Sequence, residues 1–86
     1  MPTVSMFYGI IIRMFFDEHA PPHFHAQYDG FKATISIKEL CFLSGSLPRR
    51  AQELVLEWAK LHQTELATDW DLCRRHRQPN PITQLK

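Results

Sequence analysis

His23-Phe24-His25-Ala26-Gln27-Tyr28-Asp29-Gly30-Phe31-Lys32-Ala33-Thr34-Ile35-Ser36-Ile37-Lys38 is the stretch on which the fold turns. Its first half alternates, with Phe24, Ala26 and Tyr28 on one face and His23, His25 and Gln27 on the other, the period-2 pattern of a half-buried strand. Asp29-Gly30 is a favoured two-residue hairpin turn. After it Phe31, Ala33, Ile35 and Ile37 resume the alternation against Lys32, Thr34, Ser36 and Lys38. A hairpin with one apolar face follows, and its two imidazoles lie on the polar face.

Working outward, the run from Met6 to Phe16 is rich in β-branched and aromatic residues and reads as a largely buried first strand. Arg13 is out of phase with Ile10, Ile12, Met14 and Phe16, so it joins His23 and His25 on the polar face. Between the strands, Asp17 to Pro22 is a stiff loop, because Pro21 and Pro22 restrict themselves and their predecessors. Beyond the hairpin a short strand is expected at Leu40–Leu43, broken by Ser44-Gly45-Ser46.

Pro48 suits the first turn of a helix. Ala51, Leu54, Val55, Trp58, Leu61 or His62, Leu66, Trp70 and Cys73 then recur at three- and four-residue spacing and form an apolar stripe. A helix from Pro48 to about Arg75 exceeds the usual length, which allows a kink or break between Gln63 and Thr68. The expectation is an α+β domain over residues 1–86: a small antiparallel sheet of three or four strands over about 4–45, one long C-terminal helix over about 48–76, and a tail at 77–86. Within that tail, Ile82 to Leu85 can dock on a sheet edge.

Composition bounds the function. With 86 residues there is room for one core, and 44% hydrophobic with 12% aromatic residues is enough apolar material to fold. Such a small domain exposes much of its surface, so a homodimer or a small protein partner is expected. The net charge of +1 gives no global attraction for nucleic acid or membrane, and any such binding must use a local patch. Cys41 and Cys73 form neither a disulfide framework nor a Cys-x-x-Cys pair, and no leader or membrane span is seen, so a cytoplasmic protein is the default reading.

His19, His23 and His25, three of the five histidines, fall within seven residues. Histidine exchanges protons near neutral pH and ligates metals most readily. One reading is metal-free RNA cleavage, with His23 and His25 as base and acid and Arg13 steadying the phosphate. A second is a divalent site, zinc for instance, on His19, His23 and His25, with Asp17 or Glu18 as a carboxylate ligand or supporting partner. The bland alternative is that the imidazoles are solvated strand residues.

Arg49 and Arg50 stand in the first turn of the helix, where the dipole disfavours cations, and with Lys32 they are the candidate nucleic-acid or partner contacts. Pairing with Glu53 would explain them as well. Arg74, Arg75, His76 and Arg77 complement the helix C-terminus, with an RNA-binding patch as the alternative reading. Trp58 and Trp70 read as core anchors, His62 as a hydrogen-bonded boundary residue, and Cys41 and Cys73 as small buried apolar side chains.

Phe7-Tyr8-Gly9-Ile10-Ile11-Ile12-Arg13-Met14-Phe15-Phe16-Asp17-Glu18-His19, Pro21-Pro22-His23-Phe24-His25-Ala26, Leu47-Pro48-Arg49-Arg50, Glu57-Trp58 and Trp70 occur in that order. Together they resemble the small bacterial family catalogued as domain of unknown function DUF4160. Members are often encoded beside another small protein, in an arrangement like a toxin–antitoxin pair. The resemblance implies a bacterial, cytoplasmic protein with a small cognate partner and strengthens an RNA-directed reading. A non-enzymatic interaction module and a small metal-binding protein are the alternatives.

Overall fold

Tyr8 and Gly9 both adopt positive φ, 50° and 80°, and reverse the chain inside the apolar run that the sequence reads as a single strand. Positive φ at both central positions matches the right-handed twist of a hairpin, and Gly9 adopts it without a Cβ penalty. The expected first strand is therefore two, β1 (Thr3–Phe7) and β2 (Ile10–Arg13). Asp29 and Gly30 make the second such turn, at φ 43° and 85°, between β3 (His23–Tyr28) and β4 (Phe31–Ser36), as expected.

The computed structural model describes residues 2–86; Met1, the first residue of the expected 1–86 domain, lies outside the described residues. The fold is α+β, with β5 (Phe42–Gly45) completing a five-stranded antiparallel sheet in the order β1-β2-β3-β4-β5. The count exceeds the three or four strands expected because of the Tyr8-Gly9 turn. Ser44 and Gly45 belong to β5 rather than ending it, because they pair with Thr34 and Ala33 of β4, and only a glycine fits at position 45, where φ is +71° and a Cβ would lie 2.1 Å from the Lys32 carbonyl oxygen.

The long helix is also two. α1 (Arg49–Leu61) and α2 (Gln63–Arg74) meet at His62, whose φ −123° and ψ 24° leave the helical region. Beside the break, the Gln63 side-chain amide donates to the carbonyls of Ile37 (2.7 Å) and Lys38 (3.0 Å), tethering the start of α2 to the β4–β5 turn. His62 bonds Glu65 at 2.6 Å and lies against Trp58, as a boundary residue should. Pro48 caps α1 rather than standing inside its first turn.

One sheet face and α1 enclose the core. Ile10, Ile12, Phe24, Ala26, Ala33 and Ile35 meet Ala51, Val55, Trp58 and Ala59. Trp58 is fully buried, with Phe7 at 5.3 Å and Phe24 at 5.9 Å between ring centroids. An aromatic side chain of this kind buries about 150–250 Å², worth roughly 4–6 kcal/mol at about 25 cal/mol per Å² as an upper bound.

The tail docks on edge strand β1, as expected. Ile82 N–H donates to the Val4 carbonyl (2.7 Å), Trp58 Nε1–H to the Thr83 carbonyl (2.8 Å), and Asn80 N–H to Asp69 Oδ1 (2.8 Å). Cys73 is buried, whereas Cys41 is exposed because it stands in the turn before β5, so the reading of both as buried is corrected. No helix among the described residues is long and apolar enough to cross a membrane.

Candidate functional site

Strand register places the chemistry. Arg13 on β2 is the cross-strand partner of His25 on β3, His25 of Thr34 on β4, and Thr34 of Ser44 on β5. Directly paired residues share a face, so these four form one row across four strands on the side away from α1. Ile11, Gln27 and Lys32 form the adjoining row. The expectation that Arg13, His23 and His25 lie on the polar face is met.

His23 is less outward than its strand position implies. Its side chain is only 12% exposed, because the Trp70 indole lies 5.2 Å away and the His25 ring 5.3 Å away, centroid to centroid. His25 is held in turn by the edge of Phe15 at 4.3 Å. Four rings in sequence, Phe15, His25, His23 and Trp70, thereby fix both imidazoles by packing.

The Asp17–Pro22 loop supplies the third group. Asp17 turns at φ +60°, and Pro22 is tied to the sheet by the Ile37 N–H, which donates to its carbonyl at 3.0 Å. Between these points Glu18 returns onto the histidines, with Oε1 at 2.5 Å from His25 Nε2 and 3.5 Å from His23 Nε2. His23 Nδ1 lies 2.8 Å from the Pro21 carbonyl oxygen. A carbonyl only accepts, so Nδ1 carries a hydrogen, and Nε2 is the ring nitrogen that faces Glu18.

Burial alone would raise the Glu18 carboxyl. The hydrogen bond and charge of His25, with those of His23, outweigh it and hold the carboxyl below the ordinary glutamate value. One ligand atom from each of Glu18, His23 and His25 lies within 4.8 Å of the others. Two imidazole nitrogens and one ionised carboxylate oxygen are a donor set for a divalent transition metal.

The sequence left the carboxylate open between Asp17 and Glu18, and the loop chooses Glu18. Asp17 instead meets His76 Nε2 at 2.8 Å, both side chains well exposed. His19 is exposed and outside the three-residue cluster. Arg49 and Arg50 are solvent-exposed and pair with Glu53 at 3.6 and 3.7 Å, and Arg50 borders a different groove, with Tyr8, Tyr28 and Leu54.

Lys32 does join Arg13 and His25, around a groove of about 280 Å³ on the open face, together with Phe15, Gln27, Thr34 and Ser44. Sequence reading missed Ser44 because Ser44-Gly45-Ser46 looks like a strand end. The register shift between Thr34 and Ile35, which sets Ser44 opposite Thr34 and Phe42 opposite Ile35, leaves no signal in the sequence.

Fold and site together define a small α+β protein whose open sheet face presents a histidine–carboxylate cluster beside a cation-lined groove. The chain matches the family model described as domain of unknown function (DUF4160) over residues 9–71, and it belongs to that family. All three cluster residues and all the groove residues fall within the matched span, while β1 and the docked tail lie outside it. No curated protein and no solved structure matches the chain.

Proposed function

We propose that this chain is a small divalent-metal protein in which Glu18, His23 and His25 are the protein ligands. The supporting observation is the convergence of His23 Nε2, His25 Nε2 and Glu18 Oε1, with His23 Nδ1–H anchored on a backbone carbonyl. That anchor is the kind of outer bond that orients a ligating histidine. Donors about 2.05 Å from a tetrahedral zinc stand about 3.3 Å apart. The His23–Glu18 distance of 3.5 Å already matches, and the His25–Glu18 distance of 2.5 Å must widen by somewhat less than an ångström. Three protein ligands leave a fourth position free, the pattern of sites that bind or act on a further molecule rather than of closed structural sites.

Calorimetric titration of zinc chloride into untagged, chelator-stripped protein tests the proposal. One equivalent binds, and His23→Ala, His25→Ala or Glu18→Ala each weakens binding, while His19→Ala and Asp17→Asn do not. The absence of saturable binding, or an undiminished affinity in His25→Ala, refutes it.

A second reading, an RNA-acting component of toxin–antitoxin type, is supported by the cross-strand pairing of Arg13 with His25 beside Lys32. It predicts growth arrest or RNA cleavage on induction, lost in His25→Ala. Arrest-free induction without cleavage removes it.

A further inference from the structure

The groove beside the cluster has an unusual hydrogen-bond balance. Arg13 Nε is buried and has no partner among the described residues, although its Nη1 donates to Gln27 Oε1 at 3.1 Å. Because Gln27 spends its oxygen on Arg13, its amide N–H groups are left to donate. Thr34 Oγ1 and Ser44 Oγ lie 2.6 Å apart; one donates to the other, and the acceptor's own O–H remains free. Lys32 adds an ammonium group. Among the described residues no carboxylate lines the groove, and the neighbouring Glu18 is taken up by His25 at 2.5 Å. A buried, unpaired N–H costs free energy that a ligand oxygen can recover, and a guanidinium fits the oxygens of a tetrahedral oxyanion.

We propose that this groove is an anion subsite for the phosphate group of a small phosphate ester. Arg13 anchors the phosphate, Lys32 and the Thr34–Ser44 hydroxyl pair complete its donors, and Phe15 and Ile11 receive the organic part. The row Arg13, His25, Thr34 sets neighbouring side chains about 5 Å apart, so a phosphate on Arg13 stands beside the Glu18–His23–His25 cluster. At about 280 Å³ the groove lies near the lower end of small-molecule sites, roughly 300–1,000 Å³, which suits one ester group better than a length of nucleic acid strand. The local surplus of donors also explains how a chain of net charge +1 would attract an anion at this place. The subsite stands whether or not a metal fills the cluster.

The test is a titration of ¹⁵N-labelled protein, in chelator, with adenosine 5′-monophosphate, adenosine, inorganic phosphate and a single-stranded eight-nucleotide RNA. Adenosine monophosphate shifts the amides of β2, β3 and β4 saturably, inorganic phosphate shifts the same set more weakly, and adenosine does not. Arg13→Gln and Lys32→Gln each weaken adenosine monophosphate by about tenfold, the value of one lost charge-assisted hydrogen bond, while the Arg49→Gln, Arg50→Gln double variant binds as wild type. Equal binding of adenosine, shifts centred on α1, unchanged affinity in a folded Lys32→Gln variant, or binding of the RNA alone overturns the proposal. Because the titration is run in chelator, its failure leaves the metal reading untouched, and failure of zinc to bind leaves this one untouched.

Discussion

Replacing Glu18 with alanine is expected to have a small effect on stability without metal and a large one with it. The Glu18 and His25 side chains are 27% and 29% exposed, so their hydrogen bond is partly open to water. Its net contribution is at most about 1 kcal/mol, below the roughly 1.5–3 kcal/mol of bonds to charged groups because water screens it. In chelator, the variant should therefore lie within about 1 kcal/mol of wild type. Zinc at one hundred times its dissociation constant stabilises wild type by about 2.7 kcal/mol through mass action. For a domain of this size that corresponds to about 10–20 °C in Tm. Loss of a supporting group in a metal site costs about 10–100-fold in affinity, and loss of a direct anionic ligand at least the upper figure. The same zinc concentration then stabilises Glu18→Ala by only about 0.4 kcal/mol. The gap between the two proteins thus opens from about 1 to about 3 kcal/mol when zinc is added. Thermal or urea unfolding followed by circular dichroism, in chelator and in zinc, reads both numbers. Equal zinc shifts in the two proteins, or none in wild type, would refute the reasoning.

Three further outcomes follow from other parts of the fold. Gly45→Ala forces a side chain into φ +71° with its Cβ 2.1 Å from the Lys32 oxygen; it should cost about 2 kcal/mol or more in urea unfolding and speed amide exchange in β5, and a loss below about 0.5 kcal/mol contradicts this. Trp58→Phe removes the donor to the Thr83 carbonyl and opens space beside Phe7 and Phe24; a loss of about 2–3 kcal/mol with earlier exchange at Ile82 is expected, and unchanged tail protection counts against it. Asp69 is held above its ordinary value by burial, which prevails over the Asn80 N–H bond and is reinforced by Glu65. A raised acid contributes stability that is present below the unfolded value of 3.8 and lost as pH rises through the folded one. Asp69→Asn should therefore gain on wild type as pH climbs from acid to neutral, and parallel stability curves would argue otherwise.

The hairpin was legible because its polar alternation and its Asp29-Gly30 turn carry the same message. The apolar run from Met6 to Phe16 was not, because Tyr8 is an uncommon first residue for a turn with two positive φ angles, and Gly9 alone reads as a strand glycine. The break between the helices was legible only as excess length. What positions it is the bond of Gln63 to the Ile37 and Lys38 carbonyls, a contact 25 and 26 residues away in sequence that no local pattern carries. At the site, strand phase alone brought Arg13, His23 and His25 to one face. The choice of Glu18 over Asp17 and His19 depends on how the loop closes between Asp17 and Pro22, which residue type does not specify. Ser44 entered the groove through a register shift between Thr34 and Ile35 that likewise has no sequence mark.

The position of bound zinc is the most direct test of the Glu18–His23–His25 site. A crystal structure of the zinc-loaded protein, with an anomalous difference map at the zinc edge, should show one ion bound by His23 Nε2, His25 Nε2 and a Glu18 oxygen at about 2.0–2.2 Å, its remaining position open toward the Arg13 side of the sheet. Anomalous density elsewhere, on His76 or His62 for example, or a fully occupied ion that leaves Glu18 on His25, would contradict it.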